Sequence, residues 1–229
     1  MSVYTIADLH LSKVSNKPMD VFGPLWENYE NRLRDGFSKL TDDDTIVIPG
    51  DISWGMSLKE SCLDFKFIDS LPGKKIISKG NHDYWWETAT KTKRFFAEND
   101  ITTIEILHNN AFFVEGVAIC GTRGWFYEEE DGGSRKIYDR EIGRLRRSLE
   151  EGIKLCAEKM FCFLHYPPIC SGYECDEITD MLSEFNVSKC FYGHLHGYGH
   201  KSAFSGVHKN VEYSLVAADF LGFNPLCIV

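Results

Sequence analysis

Three short apolar runs constrain this chain more than any other feature: VYTIA at 3–7, TIVIP at 45–49 and KKIIS at 74–78. Each is strand-sized and lacks polar alternation, the pattern of a strand buried on both faces. Helical periodicity fills the gaps, over 24–40 and 57–70, and a third such stretch follows at 85–98. A β-α-β-α-β-α order requires a sheet covered by helices. With 43% hydrophobic residues in 229, the chain can bury a core of that size.

The middle of the chain reads differently. TTIEIL (102–107) and AFFVEGVAICG (111–121) are strand-like, the latter a hairpin turning at Glu115-Gly116. Residues 124–159 begin acidic and Gly-rich, as a surface loop, and continue from about Tyr138 as one charged amphipathic helix. MFCFLH (160–165) and KCFYG (189–193) are strands again, and SAFSG, VEYSLVA and LCIV suggest a closing antiparallel set. No repeat, low-complexity tract or linker interrupts the chain, so it reads as one domain over 1–229, with 124–159 as an inserted loop and helix.

Charge and cysteine usage exclude several classes. Twenty-five basic and 34 acidic residues leave a formal charge of −9. That disfavours nucleic-acid tracking, which needs a basic footprint. No apolar run is long enough to span a membrane, and the first residues lack the basic and apolar regions of a signal peptide. The eight cysteines form no C-x-x-C pair and read as reduced core residues of a cytoplasmic protein, not as a zinc site.

Each strand-like run ends in potential metal ligands. Asp8-x-His10 follows the first, Asp51 the second, Asn81-His82-Asp83 the third, His165 the run at 160–164 and His194-x-His196 the run at 189–192. In open α/β sheets ligands bind outside the carboxyl ends of the strands, so these five ends can converge. Carboxylate, imidazole and one amide form a mixed N/O set without thiolate, which suits Mn, Fe or Zn. The donors are too many for one tetrahedral ion and enough for two sharing a carboxylate.

The blocks DLH, GD, GNHD, H and GHLH, in this order from residue 8 to 196, resemble the calcineurin-like metallophosphoesterase superfamily. The GDISWGM and GNHDYWW variants are similar to a bacterial group of phosphohydrolases within it. The resemblance implies an α/β fold, a four-layer αββα sandwich of two mixed β-sheets flanked by helices. It also implies two divalent metal ions. Asp8, His10, Asp51 and His196 would hold the first; Asp51, Asn81, His165 and His194 the second, with Asp51 bridging. His82 would stand beside the substrate phosphate as the catalytic acid. Phosphoprotein phosphatases of the superfamily continue the second block with an acid and an arginine; GDISWGM has neither, which argues against protein phosphatase activity and leaves the partner that orients His82 unidentified.

Ordinary readings compete at each position. Asn81 and Asp83 alone could cap the next helix; in context Asn81 is a ligand and Asp83 holds the turn. Trp54, Trp85 and Trp86 read first as packing, with Trp54 near enough to line the pocket. Arg123 could grip a phosphate or pair with the acidic loop beside it. KPMDVFG (17–23) could fold over the rim, and WFYEEEDGGSRK (125–136) could close as a lid. His108, His200 and His208 match no motif; His200 is the one expected nearest the site.

The inferred reaction is hydrolysis of a small phosphorylated substrate, a monoester or diester, by a hydroxide shared between the cations, with His82 protonating the leaving group. Rivals are a nuclease or nucleotide pyrophosphatase on the same residues, or a non-catalytic interaction module, which would be expected to lose ligands.

Overall fold

The computed structural model describes residues 1–15, 17–125 and 135–229. Its first part alternates as the apolar runs require: β1 (Val3–Thr5), α1 (Tyr29–Phe37), β2 (Thr45–Pro49), α2 (Cys62–Asp69), β3 (Lys74–Ser78), α3 (Ala89–Glu98) and β4 (Ile104–Ile106). These four strands are parallel neighbours in chain order. β5 (Phe112–Val114) and β6 (Val117–Thr122) form the expected hairpin, with Glu115 and Gly116 both at positive φ (48° and 76°) in its two-residue turn. Then follow α4 (Arg135–Lys154), β7 (Lys159–Leu164), the short pair β8 (Ile169–Cys170) and β9 (Tyr173–Glu174), α5 (Asp176–Glu184), β10 (Lys189–Tyr192), β11 (Gly206–His208), β12 (Val211–Leu215) and β13 (Leu226–Cys227).

Two mixed sheets result. One has the order β13-β1-β2-β3-β4 and the other β11-β12-β10-β7-β6-β5. Alternating side chains of each central strand serve two different cores. Ile46 and Ile48 of β2 pack under helices with Leu33, Phe37, Phe65 and Ile68, while Val47 turns the other way. On β7, Met160, Cys162 and Leu164 pack beneath α4 and α5, while Phe161 and Phe163 meet Val47, Val3 and Ile76 between the sheets. Three apolar layers therefore separate helix, sheet, sheet and helix, the expected sandwich. Polar hooks hold α4 on β6: the Thr122 hydroxyl donates to Glu141 at 2.9 Å, and Ser148 Oγ accepts from the Gly121 amide at 2.9 Å.

Several sequence expectations shift. The stretch 24–40 is not one helix. Pro24–Trp26 is a separate 3₁₀ turn, and α1 begins only after Asn28, which is left-handed (φ 53°). That break swings Trp26 inward, where it is 2% exposed. The helix expected at 57–70 shortens to α2. The helix expected at 85–98 starts at Ala89, because Trp85 is drawn into the core and Thr88 caps the Lys91 amide. The closing strands divide between sheets: β11 and β12 are antiparallel, β12 runs parallel to β10, and β13 crosses to pair with β1. Sequence reasoning missed α5, whose buried Ile178, Met181 and Leu182 fall at helical spacing, and the two-residue strands of the β8–β9 pair. The expected lid falls largely on 126–134, outside the described residues. No helix among the described residues is long and apolar enough to cross a membrane.

Candidate metal centre

The predicted ligands do gather at the carboxyl ends of five strands. Asp8 and His10 follow β1, Asp51 follows β2, Asn81 follows β3, His165 follows β7, and His194 and His196 follow β10. Four of these non-glycine residues are left-handed: Asp8 (φ 61°), His10 (46°), Asp51 (51°) and His194 (73°). Each such residue costs on the order of 1 kcal/mol and persists only where its surroundings over-determine it. The strand exits are tight enough to exclude side chains. A Cβ on Gly80 would lie 2.1 Å from Asp51 Oδ1, and one on Gly193 would lie 2.4 Å from Asp8 Oδ2.

Within this rim the donors converge as two groups. Asp8, His10 and His196 bring one donor atom each within 4.8 Å of one another, and so do Asp8, Asp51 and His165. The Nε2 atoms of His10 and His196 face each other at 3.2 Å. Asn81 Oδ1 sits 2.5 Å from His165 Nε2 and 3.1 Å from His194 Nδ1. Asp51 Oδ2 stands between the groups, 3.6 Å from His10 Nε2 and 3.5 Å from His165 Nε2. Asp8 shares this intermediate place, with Oδ1 at 3.5 Å from His165 Nδ1 and 3.8 Å from His196 Nε2.

The electrostatics call for cations. Burial, then repulsion from Asp51, pushes the Asp8 carboxyl well above its usual range. Burial, then Asp83, does the same to Asp51. Two buried carboxylates this close need a positive charge to ionise together. Burial and neighbouring histidines push His10 and His165 well down, and His194 to about 4. Neutral imidazole is the form that ligates. Backbone groups orient the donors: the His194 amide donates to Asp8 at 3.0 Å, the His82 amide donates to Asp51 Oδ1 at 2.8 Å, and His165 Nδ1 faces the Pro49 carbonyl at 3.3 Å, leaving Nε2 toward the site. Geometry and donor chemistry both fit divalent cations.

His82 is set apart from these groups. Its ring lies 4.3 Å from Trp54 and 5.7 Å from His10, and its Nδ1 is buried without a partner among the described residues. Burial, then His196 and Lys17, lowers it to about 4. Trp54 is also stacked on His10 at 5.1 Å, so it buttresses both rings and lines a pocket of about 510 Å³ together with Met19, Trp26 and His196. The 17–23 segment does fold over the rim: Met19 and Phe22 line the same pocket. Asp83 is no helix cap. It accepts from the Ile52 amide (2.8 Å), the Gly80 amide (2.7 Å) and Trp85 Nε1 (2.8 Å), tying the second and third strand exits together. Arg123 stands one ring away from the donors. Its guanidinium lies 5.8 Å from the Tyr166 ring, and Tyr166 in turn packs on His194 at 4.6 Å.

Sequence reasoning missed Asp219. Its Oδ1 is 3.0 Å from His196 Nδ1, its Oδ2 accepts from the Gly197 amide at 3.0 Å, and His200 Nε2 is 3.1 Å away. Burial opposes its ionisation, but the hydrogen bonds and charge of His196 prevail and hold the carboxyl below its ordinary value. The signal was present: VEYSLVAAD ends an apolar run in an acid, as VYTIAD does. His208, by contrast, pairs with Glu174 at 2.8 Å, and His108 packs against Trp86.

The family model described as calcineurin-like phosphoesterase matches residues 1–198. The chain belongs to that family. This phosphoesterase is accordingly a metal-dependent hydrolase of phosphoester bonds. Its fold also resembles solved structures at low identity. A phosphopantetheinyl hydrolase from Mycobacterium tuberculosis is 13% identical, with a TM-score of 0.57 over 100% of this chain and 95% of that one. A protein of unknown function from Aquifex aeolicus is 15% identical, with a TM-score of 0.52 over 99% and 95%. A protein from Thermus thermophilus is 12% identical, with a TM-score of 0.54 over 87% and 85%. A search of curated proteins gives no match.

Proposed function

We propose that the phosphoesterase binds two divalent cations and hydrolyses a small phosphorylated substrate. The observation that carries this reading is the position of Asp51 Oδ2, 3.6 Å from His10 Nε2 and 3.5 Å from His165 Nε2, between two donor groups that also share Asp8. Asp8, His10, Asp51 and His196 would hold one cation; Asp51, Asn81, His165 and His194 would hold the other. Bound there, divalent cations supply positive charge for the phosphoryl oxygens and make water a nucleophile near neutral pH.

The chain's own residues then divide the remaining work. Asp8 and Asp51, each fixed by a backbone amide, hold their carboxylates at the floor of the site. His82 stands over it, its buried Nδ1 without a hydrogen-bond partner among the described residues, and its imidazole donates a proton to the leaving oxygen. A bound phosphate raises the affinity of that imidazole for its proton, offsetting the burial that lowers it in the free protein. Trp54 keeps the His82 ring in place by a tilted ring contact at 4.3 Å and supplies the orienting contact that no acid in GDISWGM provides. Eight unpaired cysteines support a reducing, cytoplasmic compartment.

The test is a screen of phosphorylated metabolites, including cyclic nucleotides, with Mn²⁺-loaded protein and with the Asp51→Asn variant. Hydrolysis by the parent and loss of both metal and activity in the variant is the expected result. Absence of turnover on every ester by fully loaded protein would overturn the reading.

A further inference from the structure

The pocket of about 510 Å³ beside His10, His82 and His196 has a wall unlike its floor. The floor is imidazole. The wall is Met19, Phe22, Leu25, Trp26, Trp54 and Tyr198. Among the described residues it contains no carboxylate and no amide side chain. The indole Nε1 of Trp54 is already 3.3 Å from Met19 Sδ. Where a sugar or polyol faced this wall, its hydroxyls would give up hydrogen bonds to water and find few replacements, which costs free energy for each bond left unmade. Phe22 is 68% exposed, Leu25 47% and Tyr198 91%. Side chains of this kind at the mouth of a site gain nothing from the protein core. They gain if an apolar ligand covers them.

Position supplies the other half of the argument. The wall is built by the Met19–Phe22 and Pro24–Trp26 turns on one side and by the segment after His196 on the other. His82, the proposed proton donor to the leaving oxygen, lines the same pocket. A group attached to that oxygen can therefore lie along the apolar wall. Lys17 caps the arrangement, with its ammonium 4.8 Å from the Trp54 ring.

We infer that this pocket receives the leaving group and that the substrates are phosphoesters of small apolar alcohols or phenols, not of sugars or nucleosides. The inference rests on the phosphohydrolase reading above. A half-open pocket of about 510 Å³ suits a drug-sized moiety and not a long lipid chain.

Two measurements test it with Mn²⁺-loaded protein. The first compares kcat/KM for phenyl, hexyl and hexadecyl phosphate with glycerol phosphate and ribose 5-phosphate. Hexyl phosphate, whose leaving alcohol is no better than glycerol, should exceed the polar esters by roughly tenfold or more, the effect of burying a few methylenes. Leu25→Ser and Phe22→Ser should reduce the phenyl-to-glycerol ratio by a similar factor. Polar esters that match the apolar ones, or a ratio that survives both substitutions, would overturn the inference. Faster turnover of hexadecyl phosphate in vesicles than of hexyl phosphate would overturn its restriction to small soluble esters. The second measurement is binding of phenylphosphonate against methylphosphonate, followed by tryptophan fluorescence. Tighter binding of the phenyl compound supports the pocket even if no ester is hydrolysed, in which case only the phosphohydrolase reading falls. Equal binding of the two overturns the pocket.

Discussion

His196 presents Nδ1 to Asp219 at 3.0 Å and its opposite nitrogen to His10 at 3.2 Å. One imidazole is thus clamped by a carboxylate behind while it faces the donor group in front. A carboxylate in that place fixes the tautomer and raises ligand basicity. Asp219→Ala should weaken binding of one cation by about 10–100-fold and leave the other nearly unchanged. Calorimetric Mn²⁺ titration would show this as one shifted and one unshifted binding step; two unshifted steps would remove Asp219 from the account.

Occupancy is a second expectation. Protein saturated with Mn²⁺ should carry two ions per chain, and chelation should lower its melting temperature, because a ligand that binds only the folded state stabilises it. Elemental analysis giving one ion under saturating metal contradicts the two-cation arrangement. Asp51→Asn should lose metal and activity together, since its Oδ2 lies between the donor groups.

His82 should behave differently from Asp51. His82→Gln is expected to keep both cations and to lower kcat by about 10²–10⁴-fold, the usual contribution of an acid–base group. A variant that instead emptied the site would show His82 to be a ligand.

Lys75 gives a stability prediction independent of the site. Its side chain is fully buried, and its ammonium donates to the carbonyls of Leu71 and Gly73, the latter at 2.7 Å. Burial lowers it from 10.5 to about 8, against the attraction of Asp69 and Asp42. Below about pH 8 both states hold the proton, and the cost of burying the charge is present in full. Between about 8 and 10.5 the unfolded chain keeps the proton while the folded chain sheds it, so stability rises with pH by up to about 3 kcal/mol. Denaturant unfolding across that window should show the rise in the parent and its absence in Lys75→Met. Parallel curves for the two proteins would refute it.

Legibility followed the range of the signal. β2 and β3 have the bounds their apolar runs set, and Glu115-Gly116 makes the turn its dipeptide demands, because both are local effects of side-chain burial and backbone freedom. The helix expected over 24–40 failed at Asn28. A left-handed residue there serves the inward placement of Trp26 against His10 and His196, which periodicity does not register. LCIV reads as a strand and forms β13, but its partner β1 lies at the opposite end of the chain, and nothing local encodes that pairing.

The same division holds at the site. The residue types and their placement after strands were written in the chain: parallel strands end at the same edge of their sheet, so DLH, GD and GNHD share one edge, His165 and GHLH share another, and the two can converge on one rim. Which atoms meet was decided only by the tertiary structure. Packing of the two sheets through Val47, Phe161 and Phe163 sets Asp51 between His10 and His165. The crossing of the chain after β12 delivers Asp219 to His196, and the break at Asn28 delivers the apolar wall to His82. These are contacts between segments far apart in sequence. Their distances depend on how whole layers pack, and no local propensity carries that information.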